Sequence, residues 1–201
     1  AGGLMLSLVT AFWIMVFLFA LVGSMRGWTK EVVVTSALIL ALFTINQFFS
    51  TIFGFIGWDN NVTPPPELRR WQFFIMSAFL LAIAFFGYQG PAIARSRVGD
   101  RLTRRDNLQD KVLGFLVGGT NGWLIVGSIW AFIEFKVVSA SNWVRLTPDV
   151  PYPFDVAKVI RPAPELAPII DNLPIPILTS SPYILPLLLV VVFLFVLVVL
   201  L

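Results

Sequence analysis

Neither cysteine nor histidine occurs among the 201 residues of this chain. Without thiols there is no disulfide framework, no cysteine nucleophile and no thiolate metal site. Without imidazole, the commonest proton shuttle and metal ligand is gone, and so is the usual axial ligand for haem. Charge is scarce as well: 12% of residues are Asp, Glu, Lys or Arg, against about 25% in a soluble domain. No Ser–His, Cys–His, paired-carboxylate or metal-binding pattern can be assembled from what remains. The chain is therefore expected to be no enzyme, with no catalytic residue, metal or cofactor. Its net charge of +3 is small and its basic residues lie in loops, so nucleic acid is not an expected partner.

Hydrophobic residues make up 58% of the chain, and the mean hydropathy is +0.87. That leaves too little polar surface to cover a water-soluble globule, and lipid is the medium that removes the need for one. A helix needs about 20 apolar residues to cross a hydrocarbon core about 30 Å thick. Five stretches meet or approach this length: Leu4–Val22, Val32–Ile56, Trp71–Tyr88, Val112–Phe132 and Tyr183–Leu201, none with a charged residue inside. The expected fold is an all-α integral membrane protein. It combines an antiparallel four-helix transmembrane bundle, a fifth C-terminal transmembrane helix and a Pro-rich extracytoplasmic segment. The corresponding divisions are 1–132, 133–182 and 183–201. The chain opens on Ala1 rather than Met, so it is expected to be part of a longer or processed chain. The first stretch lacks a small-x-small cleavage site before Arg26, so it is expected to stay as a span and not be removed as a signal peptide.

Lys and Arg concentrate on the cytoplasmic side of membrane proteins. The loops Gly23–Glu31 and Gln89–Lys111 hold eight basic residues in 32 positions, whereas Gly57–Arg70 and Ile133–Pro182 hold six in 64. This asymmetry places loops 23–31 and 89–111 in the cytoplasm and the N-terminus outside, in a multi-pass arrangement. Ten prolines between Pro148 and Pro186 forbid long helices there. Ile and Leu threaded through that segment argue against a disordered linker. Extended, polyproline-like chain with short helical turns is expected, lying on protein or on the membrane surface. Ile169, Ile170, Leu173, Pro174, Pro176 and Leu178 are its candidate partner contacts.

Three glycines in the fourth stretch, Gly114, Gly118 and Gly122, recur every four residues and share one helix face. Such a stripe lets another backbone approach closely, most simply that of a span in the same chain. The first basic turn reads Gly23-Ser24-Met25-Arg26-Gly27-Trp28-Thr29-Lys30-Glu31. Gly23 and Gly27 suit a tight helical hairpin, and Arg26, Lys30 and Glu31 are expected to anchor its ends at the membrane surface. A docking or proton-linked role is the alternative for the same residues. Thr44, Asn46 and Gln47 are polar at membrane depth and are expected to bond to a neighbouring helix. No carboxylate stands in the middle of any stretch, which disfavours a pump or ion-coupled carrier.

The run Gly23 to Glu31 after an apolar first helix resembles the G-x-x-R-G-[aromatic]-x-[KR]-E hairpin of the colicin V production protein (CvpA) family. The stretch from Asn107-Leu-Gln-Asp-Lys111 through Gly118-Gly-Thr-Asn-Gly122 to Val126 is similar to that family's basic loop and glycine-rich fourth helix. Ser141 to Pro148 carries a weaker echo, so the resemblance spans roughly Leu4–Pro148. It implies a four-helix bacterial inner-membrane protein linked to colicin V production, toxin export or envelope homeostasis, without established catalytic residues. The Pro-rich segment and the fifth stretch depart from the family pattern. Expected partners are other membrane protein subunits and lipids. An accessory subunit of a large respiratory or photosynthetic complex, with pigment or quinone contacts, is the alternative, and a small channel or carrier is the third.

Overall fold

The computed structural model describes residues 6–58, 65–94, 108–147, 152, 154, 159, 160, 162 and 167–200. Four long helices dominate it: α1 Leu8–Arg26, α2 Trp28–Phe55, α3 Pro66–Ala94 and α4 Leu108–Glu134. All four are long and apolar enough to cross a membrane, α3 over Pro66–Gln89. With its 28 residues, α2 is about 42 Å long and exceeds the hydrocarbon core, which leaves room for tilt or projection. Pro66 opens α3, where its missing N–H costs nothing because the first turn has no intrahelical acceptor for it.

The helices alternate in direction. α1 and α4 form the most extensive pairing, in which Gly23 faces Gly114 and Gly118, Phe19 faces Gly118 and Gly122, and Phe12 packs edge-on against Trp130. Positions descend along α1 as they ascend along α4, so the pair is antiparallel. α2 packs against both α3 and α4, and α3 also touches α4. The centre is filled by Leu38, Leu42 and Ile45 of α2, Leu80 of α3, and Leu124 and Ala131 of α4. Between helices in lipid such contacts act through dispersion and shape, because acyl chains are as apolar as leucine.

Three expectations need correction. The chain is mostly helical, not all-α. β2 (Phe135–Ser139) and β3 (Asn142–Arg145) form an antiparallel hairpin, and β1 (Leu6–Ser7) pairs in parallel with β4 (Val159–Ile160). The hairpin occupies the proline-free start of the expected Pro-rich segment. Its Phe, Val and Trp side chains suit a pleated, half-buried surface, and Ser141 takes a positive φ of 60° in the turn. Second, the nine-residue turn expected at Gly23–Glu31 is a single residue. α1 runs to Arg26, α2 begins at Trp28, and Gly27 alone reverses the chain with φ 85° and ψ 152°, a conformation open to glycine and strongly disfavoured for other residues. Third, the segment expected as helix Tyr183–Leu201 forms the 17-residue α7, Ile184–Leu200, about 26 Å long and shorter than the other four. It lies outside the four helices, yet it packs along α2 and does not stand free of the bundle: Leu185 is buried, and Ile184 and Leu188 are partly so. Branched side chains can interdigitate there without a stripe of small residues.

Two short helices precede α7: α5, Pro168–Asp171, and α6, Pro174–Leu178. They form a strap seated on α4, where Gly127 leaves the space that Pro174 fills and Trp123 Nε1 donates to the Asn172 carbonyl at 3.2 Å. The exposed pair Arg145–Asp171, at 2.8 Å, links the hairpin to the strap.

Candidate functional site

One polar cluster draws a residue from each of the four long helices: Arg26 at the end of α1, Glu31 in the first turn of α2, Tyr88 near the end of α3, and Asn121 in α4. The hairpin at Gly27 brings the first two together. Helix ends favour both charges, since Glu31 sits at a positive N-terminus and Arg26 at a negative C-terminus. Glu31 is completely buried, although a charge at a span end was expected to sit at the membrane surface. That correction follows from the one-residue link, which leaves Glu31 one turn inside the bundle.

The carboxylate is held from several sides. Asn121 Nδ2 donates to Glu31 Oε2 at 2.9 Å and to the Glu31 carbonyl at 3.0 Å. Tyr88 Oη donates to Oε2 at 3.4 Å, and Thr35 Oγ1 donates to Asn121 Oδ1 at 2.7 Å. Arg26 Nε lies 3.3 Å from Oε1 as an ion pair, and among the described residues Oε1 accepts no hydrogen bond. The guanidinium lies 4.4 Å from the Tyr88 ring centroid, and its Nη2 donates to the Tyr88 carbonyl at 3.1 Å. A charge at membrane depth is tolerated when it is paired and hydrogen-bonded, and this arrangement does both. Asp110 completes the corner: its Oδ1 accepts from the Trp28 N–H at 3.3 Å, satisfying one of the free donors of α2.

The glycine stripe lies against this corner. A Cβ at Gly118 would stand 2.6 Å from the Phe19 carbonyl oxygen and 2.8 Å from Gly23 Cα, and one at Gly122 would stand 2.7 Å from Phe19 Cβ. Gly114 abuts the Gly23 carbonyl just as closely. The partner of the stripe is therefore α1 of the same chain, and Gly23 belongs to the contact. Lys30 is half-buried on α2 and takes no part in the cluster.

A second polar centre lies toward the opposite end. Asn46 Nδ2 donates to Ser141 Oγ at 3.0 Å, its Oδ1 accepts from Trp143 Nε1 at 2.9 Å, and its carbonyl accepts from Ser141 N at 3.2 Å. The β2–β3 hairpin is thus latched onto α2. Asn46 was expected to bond to a neighbouring helix, but its partner is this hairpin. Beyond it, Glu134 accepts from Trp130 Nε1 at 3.3 Å and from Tyr152 Oη, and Arg69 Nη2 donates to the Ile133 carbonyl at 3.2 Å. Asn121, a polar side chain beside the glycine stripe, is expected from sequence to add an interhelical hydrogen bond and does so to Glu31, whereas sequence reading missed Tyr88 and Glu134 as members of these clusters.

Of the strap residues, Ile170, Leu173, Pro174 and Leu178 are buried within the chain, whereas Ile169 and Pro176 are half-buried and Ile177 is exposed. Among the described residues no group of three or more Asp or Glu side chains is placed to hold a metal ion.

The colicin V production protein family model matches residues 10–152, which takes in all but the first two residues of the four-helix bundle, with the glycine stripe, the Arg26–Glu31 hairpin and the β2–β3 hairpin. The chain belongs to that family. The matched region stops before the strap and α7, in keeping with their departure from the family pattern. Comparison with curated proteins and with solved structures found no match. Family membership and the four apolar helices together make this a multi-pass membrane protein of the CvpA type.

Proposed function

We propose that this CvpA-family protein is a non-enzymatic component of the bacterial cytoplasmic membrane that supports colicin V production, toxin export or envelope homeostasis by binding other membrane proteins. The observation that carries the reading is how its surface is divided. Glu31 and Asn121 face each other inside the bundle and Asn46 faces its own hairpin, whereas α1 and α7 present broad apolar faces, among them Trp13, Phe17 and Phe193. In this reading the chain contributes shape and apolar contact, not chemistry. The basic segments 23–31 and 89–111 face the cytoplasm and the N-terminus faces outward. The strap and α7 are then an extracytoplasmic addition and a fifth span that position a partner subunit through Ile169, Pro176, Ile177 and the outer face of α7.

A second reading, an accessory subunit of a large respiratory or photosynthetic complex, is favoured by exposed aromatic rings on α3. Phe74, Phe85 and Phe86 would suit neighbouring subunits, pigments or quinones. Both readings are tested by one strain lacking the chain, complemented with the wild type or with a form truncated after Ser181. The expected result is that the wild type restores export of a colicin V reporter and envelope integrity. The truncated form should insert but co-purify with fewer subunits and fail to restore. If loss of the chain leaves both phenotypes unchanged while a respiratory or photosynthetic complex loses a subunit, the second reading replaces the first.

A further inference from the structure

A groove of about 290 Å³ runs between α1 and α3, lined by Met15, Leu18, Phe19, Val22, Arg26 and Tyr88. Four of the six are apolar, and Met15, Leu18 and Val22 belong to the exposed face of α1. Because α1 is membrane-spanning by length and composition, the groove opens sideways into lipid. Its polar groups, Arg26 and Tyr88, lie together at one end. From Met15 to Arg26 is eleven residues of helix, about 16 Å, close to half of a hydrocarbon core about 30 Å thick. The groove therefore has the length of one leaflet, with its charge where a headgroup begins.

The state of Arg26 defines what fits. Its Nε and Nη2 share one edge of the guanidinium and are engaged, with Glu31 and with the Tyr88 carbonyl. Nη1 has no acceptor among the described residues, and the side chain is 24% exposed. At headgroup level such an exposed N–H needs an acceptor from outside the chain, and a phosphate oxygen is the acceptor that a guanidinium binds best. Glu31 and the Tyr88 carbonyl hold the guanidinium by that one edge, and Arg26 lines the groove.

We propose that this groove is a specific site for a phosphodiester phospholipid of the surrounding leaflet. The phosphate is held by Arg26 Nη1, and one acyl chain lies along Leu18, Phe19 and Val22. The inference does not rest on the partner-binding role, since it concerns the bundle alone.

Native mass spectrometry of the intact chain in mild detergent provides the test, with phosphatidylglycerol and a diglucosyl diacylglycerol of the same acyl length as probes. The expected result is one retained phosphatidylglycerol per chain, at least tenfold preferred over the phosphate-free glycolipid. Leu18→Trp, which fills the groove without touching the polar cluster, should lower retention at least fivefold with an unchanged melting temperature. Phe17→Ala, exposed on the same helix outside the groove, should retain the lipid as wild type does. Arg26→Lys keeps the charge but loses the forked donor, and should erode the preference for phosphate. Equal retention of the two lipids overturns the headgroup assignment. Equal retention by wild type and Leu18→Trp, or no retained lipid at all, overturns the site.

Discussion

Adding one methyl group at different glycines of this bundle should give opposite results, and the distances say which. A Cβ at Gly118 would lie 2.6 Å from the Phe19 carbonyl oxygen, and ordinary contact begins at 3.4 Å. The opposing atoms are backbone, which cannot rotate aside as a side chain can. α1 would have to retreat by about 0.8 Å, and a gap of 0.5–1 Å forfeits about a quarter to a half of the dispersion energy of each separated contact. Gly118→Ala is therefore expected to destabilise by about 1–3 kcal/mol, and Gly118→Leu by more. At Gly119 the new Cβ meets Ala20 Cβ at 3.4 Å, an ordinary contact, so Gly119→Ala should fall within about 0.5 kcal/mol of wild type. Gly54, in the last turn of α2, has nothing within 4 Å, and there alanine should gain up to about 0.5 kcal/mol through helix propensity. Thermal unfolding in dodecyl maltoside, followed by circular dichroism, orders the three variants. If Gly118→Ala melts at or above Gly54→Ala, the close α1–α4 seam is wrong.

Glu31→Gln leaves Arg26 without its counter-charge and should cost about 3 kcal/mol, the lower end for breaking a buried pair because Arg26 reaches the surface. Adding Arg26→Met should recover part of that loss in the same melting assay, and strict additivity of the two would argue against the pairing. Asn46→Leu removes the latch on the hairpin and strands the Trp143 Nε1 donor and the Ser141 Oγ acceptor, at about 1–3 kcal/mol for each group left unsatisfied. Trypsin should then cut after Arg145 faster than in wild type, and an unchanged rate would count against the latch. The natural lack of cysteine makes sidedness simple to read: Cys at Ser24 should resist an impermeant thiol reagent in intact cells, and Cys at Asn142 should react. The reverse labelling would invert the proposed orientation.

Long uncharged runs declared the four helices, because the bilayer imposes a length that little else in a sequence imitates. The spacing of Gly114, Gly118 and Gly122 declared a close contact, and its partner in the same chain was the simplest choice. What stayed hidden depended on direction and distance. Glu31 looks like an interfacial charge until the single-residue link at Gly27 turns it inward, and its partner Asn121 lies 90 residues away. The β2–β3 hairpin was masked by the prolines that follow it, although residues 135–147 contain none. The docking of α7 on α2 left no sequence trace, because a helix apolar on every side does not advertise which face is covered.

The central claim, that this bundle works by contact with other membrane proteins, is open to site-specific photocrosslinking in living cells. A benzophenone side chain would be placed in turn at Ile177 on the strap, at Phe193 on the exposed face of α7, and at the buried Leu38. The account predicts discrete adducts to another protein from Ile177 and Phe193, the same adduct from both, and none from Leu38. Adducts only to lipid at both exposed positions, with the protein otherwise folded and active, would contradict it.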